Sequence, residues 1–185
     1  SELGDELLEK MGEHDLVGLA WSENGFRHLT NSQREIATPA DAEGLRVRTM
    51  ENAVHQEAFR QMGARPTPMA FPELFTALQQ GTVDGQENPI TVIVATNFWE
   101  VQDYLSLTGH VYTPAYVVVS PSAWDRLPAD VRRIPEEEAK ATQEFVHEPA
   151  ARLATELLDP IPEACVLVNP PARGAVHRAT APLSA

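Results

Sequence analysis

The chain has 185 residues, with 14 Lys and Arg against 27 Asp and Glu and a formal net charge of −13. So acidic a surface repels phosphate backbones and argues against a nucleic-acid partner. No apolar run approaches the roughly 18 residues that cross a bilayer, and the one cysteine, Cys165, excludes an internal disulfide and a multi-cysteine zinc site.

Leu3, Leu7, Leu8 and Met11 share one helical face, which predicts an amphipathic helix stopping at Gly12. The start of the chain is acidic and has no basic leader region, as in a mature secreted protein and equally in a cytoplasmic one. Residues 16–21 read as a buried strand and Asn24-Gly25 as a turn. Thr38-Pro39 opens a short helical element that ends at Gly44. Residues 45–50 alternate as a strand does. Val54, Ala58, Phe59 and Met62 mark a helix closed by Gly63.

Residues 65–68 are extended around Pro66 and Pro68, and Pro72 starts a helix carrying Leu74, Phe75 and Leu78 up to Gly81. Residues 81–89 read as a polar turn, 97–105 as a helix and 110–120 as a strand rich in Val, Tyr and Thr. A long helical region follows from Leu127 to about Leu158. Breaks are expected at Pro135 and Pro149, because an interior proline costs about 3 kcal/mol or more. Cys165, in the apolar run 165–168, reads as a small buried hydrophobe. Alternating strands and helices argue an α/β fold with an at least partly parallel sheet.

Within this frame a few residues carry chemistry. Arg46 and Arg48 share one face of their strand, with Val47 on the other. An Arg aimed into a cleft can grip a carboxylate through two parallel hydrogen bonds, although in an acidic chain the surface salt bridge is the commoner use. The same weighing applies to Arg27. Asn88, in the polar run 84–88, offers one acceptor and two donors suited to a carboxylate or hydroxyl; before Pro89 it is also a common helix N-cap. Phe71, ahead of Pro72, is either core or the apolar wall of a pocket. Signatures of hydrolases, P-loop proteins and dinucleotide binders are absent, and His147-Glu148 lacks the second His of a metalloprotease. No set of nucleophile, base and orienting group can be argued, so the chain is not read as an enzyme, and it needs no cofactor or metal.

Several runs resemble the periplasmic solute receptors of TRAP transporters, the DctP family. They are Gly44 to Met50, Gly63 to Phe71 with its Pro-x-Pro-Met-Ala-Phe core, and above all Ala77-Leu78-Gln79-Gln80-Gly81-Thr82-Val83-Asp84-Gly85-Gln86-Glu87-Asn88-Pro89. Gly25 to His28, Phe98 to Gln102, Leu105 to His110 and Trp124 to Pro128 fit the same pattern in order. The resemblance covers the C-terminal portion of such receptors and implies a two-lobed periplasmic-binding-protein-like α/β fold with part of the first lobe missing.

Under that reading residues 1–15 are a helical lead-in, 16–112 a ligand-binding second lobe and 113–153 a return segment to the first lobe with a long helix. Residues 154–185 are a C-terminal segment packed on the second lobe. The resemblance further implies periplasmic location, a small organic acid as ligand and the TRAP membrane subunits as partners. Arg48 would form the main salt bridge to the ligand carboxylate, Arg27 a second cationic contact and Asn88 a hydrogen bond to the same group. Phe71 would pack on the ligand, and Trp21 and Glu51 would bear on selectivity. A ligand-sensing module of the same fold and an α/β enzyme are the alternatives.

Overall fold

The structure is a computed structural model and describes residues 2–157 and 167–169; Cys165 and the expected C-terminal packing segment lie largely outside them. The first helix is α1, Glu2–Lys10. The chain then enters β1, Val17–Asn31. The turn expected at Asn24-Gly25 does not form. Gly25 takes φ +108°, which glycine tolerates without steric cost, and the extended chain passes through it without reversing.

A single 3-10 turn at Pro39–Ala42 follows, closed by a capping box between Thr38 and Asp41. It leads into β2, Arg46–Thr49. Asn52 then caps α2, Ala53–Gln61, by accepting from the amides of Val54 and His55. Next come β3, Arg65–Pro68, and α3, Leu74–Gln79.

Residues 81–89 are not a turn throughout. Gly85–Pro89 form β4, and all five residues are buried. α4, Ile90–Ala95, follows directly; the helix expected over 97–105 reduces to one 3-10 turn at Phe98–Glu100 before β5, Tyr104–Val119. After α5, Pro121–Trp124, the helix α6 runs from Ala129 to Glu156. It is continuous through Pro135 and Pro149, where breaks were expected. Each proline removes only one ladder donor, and a helix of 28 residues retains the remaining bonds. β6, Leu167–Asn169, pairs in parallel with β5.

The strands form one mixed sheet in the order β3-β2-β4-β1-β5-β6. β2 runs parallel to β3 and β4, and β1 antiparallel to β4. β3 sits at the sheet edge, which suits its two prolines, since each lacks a ladder donor.

The chain divides into two compact units. One holds the chain up to Gly25 and Thr113–Leu153; the other holds Phe26–Tyr112 and the described residues after Leu153. In the first unit α1 lies close on β1. A Cβ at Gly18 would stand 2.8 Å from the Leu8 carbonyl oxygen. Trp21 is fixed there by its ring nitrogen donating to Gly4 O (2.9 Å), its amide donating to Gln143 Oε1 (2.8 Å), and an edge-to-face contact with Tyr116.

The second unit has helices on both faces of its sheet. Phe59 and Met62 of α2 pack with Leu29, Leu45 and Val47 on one face. Leu74, Ala77 and Leu78 of α3 pack with Ile90, Ile93, Phe98 and Leu105 on the other. Such a sandwich buries a central strand on both sides, and here β4 is that strand.

Candidate functional site

Strand register puts the polar residues of the second unit onto defined faces. Arg48 lies opposite Gln86, and Gln86 opposite Thr30. Laterally paired residues share a face and alternate residues return to it, so Arg48, Gln86, Asn88 and Thr30 lie on one side of the sheet. Arg27, Leu29 and Glu87 lie on the other.

Arg48 is 3% exposed. Its Nε and Nη2 both donate to the carbonyl oxygen of Met69, at 2.9 and 2.7 Å. The Nη1 side of the guanidinium takes no part in either bond. Phe71 lies beneath it, with the guanidinium carbon 5.8 Å from the ring centroid, and packs edge-to-face with Phe98. Among the described residues Arg48 forms no ion pair. Burial lowers its pKa from the ordinary value; the negative charge of Glu87 opposes that shift and the positive charge of Arg27 adds to it.

Arg27 is buried as deeply, but it is neutralised. Its Nε pairs with Glu87 Oε2, while Nη2 donates to Glu87 Oε1 (2.9 Å), to the Glu87 carbonyl (2.7 Å) and to Asn88 Oδ1 (2.9 Å). Glu87 is also met by His110 Nε2 at 3.2 Å. His55 Nδ1 stands 3.7 Å from it, close enough for an ion pair and too far for a hydrogen bond. Burial pushes the Glu87 carboxyl upward, but the contacts with His110, His55 and Arg27 outweigh it and hold the group well below the usual carboxylate range. Arg46, by contrast, is the surface salt bridge that the acidic composition suggests, pairing with Asp84 at 2.6 Å.

Asn88 caps no helix with its side chain; Pro89 stands at the cap position of α4. Its Nδ2 donates to Gln86 Oε1 (2.6 Å) and its oxygen accepts from Arg27. Gln86 Nε2 donates to Thr30 Oγ1 (2.9 Å), and the Thr30 hydroxyl donates to Gln102 Oε1 (2.8 Å).

The second unit holds all four of Arg48, Asn88, Arg27 and Phe71, with Phe71 against Arg48 and Asn88 bonded to Arg27. Glu51, just beyond β2, is exposed, and Trp21 is engaged within the first unit. Sequence reasoning did not single out Glu87, Gln86, Thr30, Gln102, His110 or the Met69 carbonyl. Of these, Gln86 was accessible in principle, because the two-residue strand period pairs it with Asn88 once 85–89 is taken as a strand.

The family model described as bacterial extracellular solute-binding protein, family 7 (DctP), matches residues 1–185. A solute-binding protein of Verminephrobacter eiseniae is 54% identical over 127 residues, covering 69% of this chain and 38% of its own length. The 2,3-diketo-L-gulonate-binding periplasmic protein YiaO of Escherichia coli is 36% identical over 167 residues, 90% of this chain and 51% of its own. A TRAP periplasmic solute-binding protein of a Polaromonas species, solved with D-erythronate, superposes with a TM-score of 0.93 at 45% identity, over 100% of this chain and 61% of that one. This chain thus spans about two-fifths to three-fifths of the length of these relatives. Other solved relatives were crystallised with β-D-galacturonate and with succinate. With its whole length matched to the family model and close likeness to solved members, the chain belongs to the bacterial extracellular solute-binding proteins of family 7, the DctP family.

Proposed function

We propose that the protein is a periplasmic receptor that holds a small organic acid and delivers it to the membrane subunits of a TRAP-type transporter, without transforming it. The observation that carries this reading is Arg48, a buried cation bonded to a neutral carbonyl and to no acid among the described residues. A buried charge without a counter-ion is costly. A carboxylate meeting the guanidinium would supply the missing charge and, in a desolvated site, a strong charge-assisted pair.

Asn88 lies on the same sheet face and adds a hydrogen bond to the carboxylate, Phe71 supplies apolar packing, and Arg27 adds a second cationic group beside Asn88. Trp21 and Glu51 bear on selectivity. A sugar acid of the erythronate class fits best, because the relative solved with D-erythronate is 45% identical over the whole chain.

A thermal-shift panel of D-erythronate, galactonate, glucuronate and succinate tests the proposal. A ligand at about 100 times its Kd adds about 2.7 kcal/mol, which in a protein of this size is a rise of roughly 5–11 °C. Arg48→Ala removes that rise. A panel in which every acid leaves Tm unchanged, or an Arg48→Ala protein that keeps the full shift, refutes it.

A further inference from the structure

The side chains of Arg27, Asn88, Gln86, Thr30 and Gln102 form one unbroken chain of hydrogen bonds, and its direction is fixed at both ends. Arg27 has only N–H groups to offer, so the Asn88 atom facing it must be the oxygen. The nitrogen of Asn88 then faces Gln86, which must present its own oxygen, and the Gln86 nitrogen faces Thr30. The Thr30 hydroxyl accepts that bond and donates to the oxygen of Gln102. At the far end the Gln102 nitrogen meets the carbonyl oxygen of Val101 at 2.8 Å, which can only accept. Reversing Asn88 would set its N–H against that of Arg27 and its oxygen against that of Gln86; reversing Gln86 would set its N–H against that of Asn88; reversing Gln102 would set its oxygen against the Val101 carbonyl oxygen. Gln86 and Gln102 are 0% and 2% exposed and Thr30 is 1% exposed, so water cannot readily take over a lost partner. Glu87 anchors the start of the chain by holding the Arg27 guanidinium in place.

We propose that Gln86, Thr30 and Gln102 are positioning residues that, together with Arg27, lock the Asn88 amide with its nitrogen side held as a donor. The site would thereby be set for the negatively charged oxygen of the ligand and against a ligand group that must itself donate. This rests on the reading of Arg48 and Asn88 as the carboxylate-binding pair. The bond to Gln86 uses one of the two Nδ2 hydrogens, so the relay fixes the amide while leaving a second N–H that a ligand oxygen can take. It also assigns Arg27 a role in orienting Asn88, beyond the charge it brings.

Two measurements decide the matter. The first needs no ligand: the Asn88 side-chain amide resonances in 15N–1H spectra, assigned by their loss in Asn88→Ala. Gln86→Met and Thr30→Val are expected to shift them and to speed their exchange with water, while Thr30→Ser, which retains the hydroxyl, restores them. Asn88 resonances unchanged in both Gln86→Met and Thr30→Val overturn the relay.

The second is calorimetric titration with D-erythronate. Gln86→Met is expected to weaken binding about tenfold in the parent and by less than about twofold in the Asn88→Ala background. Equal weakening in both backgrounds shows a general structural effect and overturns the proposal. Arg48→Ala in the same titration tests the binding reading by itself. Unchanged affinity there defeats that reading, whereas the amide spectra judge the relay independently.

Discussion

Replacing Arg48 by Met separates a ligand-binding cation from a structural one. Methionine approximates the length and apolar stem of arginine and removes the charge. In the ligand-free protein the losses are the two bonds to the Met69 carbonyl and the contact over Phe71. Leaving a carbonyl unpaired costs about 1–3 kcal/mol, and a partly buried cation–π contact adds about 0.5–2. Against this stands the removal of a buried charge with no acid partner among the described residues, whose effective burial penalty is several kcal/mol. The two sides nearly cancel, so Arg48→Met is expected to change unfolding stability by no more than about 1 kcal/mol, or roughly 2–4 °C in Tm.

Arg27→Met is the contrast. It leaves Glu87, which is 0% exposed, facing only His110 and His55 among the described residues, and breaking a buried pair by removing one partner costs about 3–5 kcal/mol. In ligand binding Arg48→Met is expected to lose about 2–5 kcal/mol, a weakening of roughly 30- to 4,000-fold. Urea unfolding of the ligand-free proteins and calorimetry with D-erythronate measure both effects. If Arg48→Met destabilises the ligand-free fold as much as Arg27→Met does, the guanidinium is structural and not a ligand-binding cation.

Three further outcomes follow from the same structure. The folded-state pKa of Glu87 is depressed below its ordinary 4.5, so the stability it contributes is fully present above that pH and is lost as pH falls toward the folded value. Glu87→Gln should therefore be less stable at neutral pH and should lose less stability than the parent between about pH 5 and pH 3; parallel pH curves would contradict this. Gly85→Ala would place a Cβ 2.3 Å from the Thr30 carbonyl and 2.9 Å from Asn31 Cβ, in the centre of the sheet. It should cost more than about 3 kcal/mol in urea unfolding or fail to fold. Asn52→Ala removes the cap of α2 and should cost about 1 kcal/mol, with D-erythronate affinity unchanged by calorimetry.

Much of the second unit was legible because its punctuation is local. Gly44, Gly63 and Gly81 all take positive φ where helical stretches were expected to end, and Pro66 and Pro68 mark an edge strand. β4 was not legible from local pattern. Gly-Gln-Glu-Asn-Pro has the composition of a turn, and only partners far along the chain turn it into a buried strand. Thr30, Arg27 and His110 satisfy side chains 56, 60 and 23 positions away. For the same reason the resemblance pointed to Asn88 while local pattern could not reveal what holds it. Intrinsic propensity alone predicts breaks at the prolines of α6, and a long helix outlasts two such losses.

The most direct test of the account is a crystal structure of the protein with D-erythronate. The expected result is one carboxylate oxygen within about 3 Å of the Arg48 guanidinium and of Asn88 Nδ2, with the ligand carbons against Phe71. A carboxylate bound elsewhere, with Arg48 still bonded to the Met69 carbonyl alone, would contradict it.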